Sequence, residues 1–108
     1  MSLIDNRAII EKQAREFKIR HRLGEINDAV SNERAYQDDK WGSIDEHGHS
    51  LAEWVLIAEA ELAEAKQAVI KGGAGRNSLH SEIIQTMAVL RAALEQHGVH
   101  DDHEGRAL

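Results

Sequence analysis

Ser50 followed by Glu53 is a capping box, the start signal of a helix, and the apolar-periodic run that follows stops at Gly72 and Gly73. Lys71 stands in the last turn, where a cation suits the helix dipole. After the turn "GGAGRNS" a second run starts near Asn77 or Ser78. It places Ile83, Met87, Leu90 and Leu94 at helical spacing and reaches His97, with Gly98 as its stop. Two helices joined by so short a turn are expected to pack as an antiparallel hairpin.

Ahead of the hairpin, residues 3 to 22 predict a further helix from a weak capping box at Ser2 and Asp5, with Ile10, Ala14 and Phe17 on one stripe. A second stripe, Ile19, Leu23, Ile26 and Val30, is offset from the first. The helix is therefore expected either to bend near Gly24 or to continue with a different face buried, out to about Lys40. "KWGSIDEHGHS" at 40 to 50 has two glycines and no periodicity, and reads as a loop. The chain has no proline, 42% hydrophobic residues rich in alanine and only 4% aromatics, which predicts an all-α fold. Residues 1–97 read as one domain, and 98–108 as a polar tail. Small side chains make a thin core, so self-association is expected.

Several classes are excluded. Without cysteine there is no disulfide or thiolate metal site. The longest apolar run, Trp54 to Ala58, is far too short to span a membrane. "MSLIDNR" lacks a signal-peptide layout, so a cytoplasmic location is expected. A net charge of -6 argues against sequence-independent nucleic-acid binding. Six of the 13 Lys and Arg lie between Arg7 and Arg22, but with Glu11 and Glu16 interleaved they read as a solvated or oligomer-facing surface. His97, His100 and His103 recur at intervals of three, yet Gly98 interrupts any helix that would align them on a metal.

"AEAELAEAKQA", residues 58 to 68, carries three glutamates of unequal standing. At about 100° per residue Glu61 and Glu64 share a stripe, whereas Glu59 points to solvent. The Glu61 and Glu64 stripe continues into Ile57 and Ala68, and the stripe of Glu82 and Gln85 continues into Val89 and Ala92. Each polar pair thus sits at the edge of an apolar face. Whether the pairs meet depends on the stagger of the hairpin. If they meet, three carboxylates and an amide oxygen would suit a hard cation such as Mg²⁺ or Mn²⁺. The same glutamates also read as plain helix formers on a solvated surface. A ferritin-like di-iron site would need Glu-x-x-His on two helices, and no helix here supplies one.

In order and spacing, "QDDKWG" at 37 to 42, "EWVLIAEAELAEAKQAVIKGG" and "EIIQTMAVLRAALEQ" resemble the MazG-like all-α nucleoside triphosphate pyrophosphohydrolases over roughly residues 33 to 97. The resemblance implies a helical-hairpin, four-helix-bundle type of fold with its core completed in a homodimer or homotetramer. It also implies Mg²⁺-dependent cleavage of (d)NTP to (d)NMP and pyrophosphate. By resemblance, Glu61 and Glu64 match the family's first Glu-x-x-Glu pair and Glu82 the glutamate of its second pair. Gln85 stands where the family has Asp, and Ala60 where it often has Glu. The three glutamates are thus expected to be catalytic metal ligands, with Gln85 a weaker fourth ligand and one glutamate serving also as base. Lys40 is the first choice for a phosphate contact, followed by Arg76 and Arg91. Trp41 would either stack on a base or plug the core, and Gln37 would hydrogen-bond the nucleotide. The alternative is a helical module that binds a nucleotide or a protein partner without cleaving anything, a reading that Gln85 and Ala60 favour.

Overall fold

The computed structural model describes the backbone of residues 3–71 and 76–100, and the side chains of 6–71 and 79–100. Three helices are present: α1 (Leu3–Trp41), α2 (Leu51–Ile70) and α3 (Arg76–His97). Among the described residues there is no strand, and no helix is long and apolar enough to cross a membrane. Ser2, Gly72 to Gly75 and His103, invoked above as cap, turn and tail, lie outside the described residues.

α2 starts where its cap predicts. Ser50 Oγ accepts from the Glu53 N–H at 3.1 Å, and Glu53 Oε1 accepts from the Ser50 N–H at 2.8 Å. At its other end the Lys71 N–H donates to Gln67 O at 2.9 Å. α3 packs along α2, and the core between them is small: Trp54, Ala58, Val89, Ala92 and Ala93, with Ile44 and Ile57 packed against it.

The buried face of α3 differs from the expected one. Ile83, Met87, Leu90 and Leu94 are 40–50% exposed, whereas Ala88, Val89, Ala92 and Ala93 are buried. The cause is proximity: Ala58 and Ala65 of α2 are buried too, and alanines on both sides let the two backbones approach where larger side chains would hold them apart.

α1 is a single helix of 39 residues that runs through Gly24 without interruption. It packs on α3 and not on α2. Packing begins only at Ala29 and Val30; from Asn6 to Asp28 every side chain is exposed, so neither expected stripe is buried there. Length explains this, since a helix of 39 residues spans about 58 Å whereas α3, with 22, spans about 33 Å. Gly42 ends α1 with φ +91°, its N–H bonded to Asp38 O at 2.9 Å. A Cβ at Gly42 would stand 2.1 Å from His47 Cδ2, so the loop can fold back over the end of α1 only because this residue is glycine.

Candidate metal centre and its flanking cavity

The stagger of the hairpin brings the two polar stripes together. One carboxylate oxygen each of Glu61, Glu64 and Glu82 lies within 4.8 Å of the other two. Glu59 is exposed and takes no part. Two oxygens on opposite sides of Mg²⁺ stand about 4.2 Å apart. The observed spread therefore accommodates a divalent cation after a small side-chain adjustment, and the all-oxygen donor set suits Mg²⁺ or Mn²⁺.

Like charges this close need compensation. Burial, then the proximity of Glu64, pushes the Glu61 carboxyl above its ordinary range, against the opposing pull of a hydrogen bond from Glu82 and of Lys40. Glu82 is raised as well, first by burial and then by Glu64 and Glu61. Protonation of Glu82 is thereby easier than for an isolated carboxyl, and a Glu82 that donates to its neighbours would ease the repulsion.

Gln85 reaches the same point. With its amide nitrogen turned inward it donates to Glu61 Oε2 at 3.2 Å and to Glu82 Oε2 at 3.3 Å; with the oxygen inward it meets only acceptors. Without a cation the first orientation is the satisfied one. The ligating role expected of its oxygen therefore requires the amide to turn over.

Beside Glu61 lies a cavity of about 210 Å³, walled by Gln37 and Trp41 of α1, by Ile44, His47 and His49 of the loop, and by Trp54 and Ile57 of α2. It is smaller than the roughly 300 Å³ at which whole-ligand pockets begin, so it is sized for one ring of a ligand. Trp41 is 50% exposed and does not plug the core; Trp54, 8% exposed, fills that place. The Lys40 ammonium lies 5.4 Å from the Trp41 ring and 6.0 Å from that of Tyr36. It is close enough to Glu33 and Glu61 to lower both carboxyls against the upward push of burial.

Of the remaining expected residues, Gln37 reaches the cavity wall and Arg91 does not. Gln37 is buried, donates to Gln85 O at 3.4 Å and accepts from Arg34 Nη1 at 3.3 Å, so its amide ties α1 to α3. Arg91 is turned away, donating to Ser31 Oγ at 2.7 Å. The side chain of Arg76 lies outside the described residues.

Three residues of the site, Glu33, Arg34 and Gln96, escape the sequence reading. Glu33 adds a fourth carboxylate near Glu61, and its spacing to Gln37 and Lys40, one and two helical turns on, was the available signal. Arg34 is buried, pairing with Asp38 at 3.0 Å and with Glu95 of α3. His49 packs edge-on against Trp54, with ring centroids 4.8 Å apart. Gln96, which continues the stripe of Gln85, Val89 and Ala92, joins His49 and Trp54 through hydrogen bonds.

Compared with protein-family models, with curated proteins and with solved structures, the chain matches none.

Proposed function

We propose that this chain is a Mg²⁺- or Mn²⁺-dependent nucleoside triphosphate pyrophosphohydrolase of the cytoplasm. It would cleave (d)NTP to (d)NMP and pyrophosphate and work as a homodimer or homotetramer with a MazG-like bundle completed between copies. The observation that carries the reading is the convergence of Glu61, Glu64 and Glu82, with Glu61 also lining a ring-sized cavity. The resemblance in order and spacing supports it independently of that geometry.

Glu61, Glu64 and Glu82 would hold the cation, with the Gln85 oxygen as a weaker ligand once its amide turns. When bound, the cation supplies charge neutralisation for the triphosphate and acidifies a water. Lys40 brings a protein cation to the same edge of the site and suits a phosphate oxygen. One glutamate of the cluster takes the proton of the attacking water as general base. Trp41, half-exposed at the cavity wall, offers a ring face to a base. Gln37, on the wall of the same cavity, would hydrogen-bond the nucleotide while its amide also ties α1 to α3.

The decisive experiment is pyrophosphate release from a panel of canonical and modified (d)NTPs with Mg²⁺ or Mn²⁺. The reading fails if no substrate turns over, or if Glu61→Gln and Glu82→Gln leave the rate unchanged. A second reading, a nucleotide-binding module without turnover, is favoured by Gln85, whose amide satisfies Glu61 and Glu82 with no ion at all. Ligand-induced thermal stabilisation without pyrophosphate release would select it.

A further inference from the structure

Among the described residues, nothing packs against the N-terminal half of α1. Ile19, Leu23 and Ile26 are 46–53% exposed, yet they lie on the face that at Val30 is buried on α3. The spacing Ile19, Leu23, Ile26, Val30 is four, three, four residues, which is the seam of a helix pair. α3 carries a seam of the same spacing in Ile83, Met87, Leu90 and Leu94, 40–50% exposed. Within the chain the two seams overlap over half their length, Ile26 and Val30 sharing an apolar groove with Ile83 and Met87. Ile19 and Leu23 are left over at one end, and Leu90 and Leu94 at the other.

We propose that in a two-fold pair the α1 arm of each copy lies on the α3 seam of the other, Ile19 and Leu23 covering the partner's Leu90 and Leu94. Charge selects this occupant. Residues 1–25 carry six Lys and Arg against four Asp and Glu, while residues 26–108 carry seven against fifteen. Two such arms side by side would repel, whereas a basic arm on an acidic body is attracted. The arm also needs a partner to persist as a helix. About 22 residues interrupted by Gly24 are marginal alone, and its exposed pairs, Lys12 with Glu16 and His21 with Glu25, add little. Reciprocal exchange buries both seams twice and closes the assembly, leaving no free end to propagate.

This inference rests on the self-association of the proposed reading and is independent of its chemistry. The chain has no cysteine, so Leu23→Cys and Leu90→Cys each introduce one thiol at a half-exposed position. The two variants, one of them tagged, are mixed, allowed to exchange and treated with a short bismaleimide, while sedimentation gives the mass of the unmodified chain. The expected result is a dimer by mass and a cross-linked dimer in the mixture but in neither variant alone. Cross-linking of Leu23→Cys with itself means arms paired with arms, and of Leu90→Cys with itself means hairpin on hairpin. Either outcome, or a dimer that cross-links in no combination, overturns this arrangement while leaving self-association standing. A monomer at tens of micromolar overturns both. If either cysteine variant loses helicity, Ile19→Cys and Leu94→Cys repeat the test one turn away.

Discussion

Trp54 of α2 donates its indole N–H to Gln96 Oε1 of α3 at 2.8 Å. The same Gln96 side chain grips the loop, accepting from the His49 N–H at 3.0 Å and donating to the His49 carbonyl at 2.8 Å. One amide thus fastens the largest core side chain, the second hairpin helix and the cavity wall. Gly48 lies close under it: a Cβ there would stand 2.7 Å from the Gln96 amide.

Gln96→Leu keeps the volume of that side chain, leaves the Trp54 N–H and the His49 N–H without their partner, and leaves the His49 carbonyl only its contact with His97 Nε2 at 2.7 Å. At about 1 kcal/mol per hydrogen bond, the loss is expected to total about 2–3 kcal/mol, read as a lower urea midpoint at unchanged m-value. A midpoint equal to that of the native chain would show that water replaces the clamp at no cost.

Glu82→Gln removes one of three converging charges. Without divalent cation the variant is expected to melt a few degrees above the native chain, because the repulsion is gone. With millimolar Mg²⁺ or Mn²⁺ the order is expected to reverse, since a cation that binds the folded native cluster stabilises it and finds a weaker site in the variant. Scanning calorimetry with and without cation reads both. A native melting temperature indifferent to both ions counts against a metal centre.

Protonation offers a second view of the same cluster. Glu61 and Glu82 have raised carboxyl pKa values in the folded chain, so the folded state holds protons that the unfolded state has released. A raised pKa adds stability that is complete below the ordinary carboxylate range and is lost as pH rises through the raised values. The stability of the native chain minus that of Glu82→Gln, from urea unfolding in chelator, is therefore expected to fall as pH increases across that window. A difference that rises with pH would mean that these carboxylates are held ionised by something in the fold.

Gly42→Ala tests the end of α1. Its φ of +91° strains any residue with a Cβ, and the added methyl would collide with the His47 ring. The expected cost is about 1–3 kcal/mol, together with displacement of the loop that carries His47 and His49. Melting temperature and the chemical shifts of Trp41 and Trp54 report the two parts separately.

The hairpin was legible because its signals are local chemistry: the Ser50 and Glu53 box, the glycine pair after Lys71, and Gly98 after His97. The separation of Glu59 from Glu61 and Glu64 was legible for the same reason, since helical phase depends on nothing beyond the helix itself. The meeting of Glu61 and Glu64 with Glu82 was not, because it is set by the stagger of two helices. The buried face of α3 was misread because hydrophobicity ranks Leu90 and Met87 above Ala88 and Ala92, whereas close approach to Ala58 and Ala65 favours the smaller residues. Arg34 and Glu33 went unseen because their partners lie on other helices, reached only through the crossing of α1 over α3.

α1 touches α3 and α3 touches α2, but α1 and α2 share no packed surface. The cavity that both help to wall is thus a gap between the two covers of a book whose spine is α3. Its width is set by the last turns of α1, where Trp41 sits, and those turns are pinned to the spine through Arg34 on Glu95 and Gln37 on the Gln85 carbonyl. A ligand that widened the gap would strain the Gln37 bond to the Gln85 carbonyl as well as the Gly42 loop, and so would be felt at the residue whose amide reaches Glu61 and Glu82.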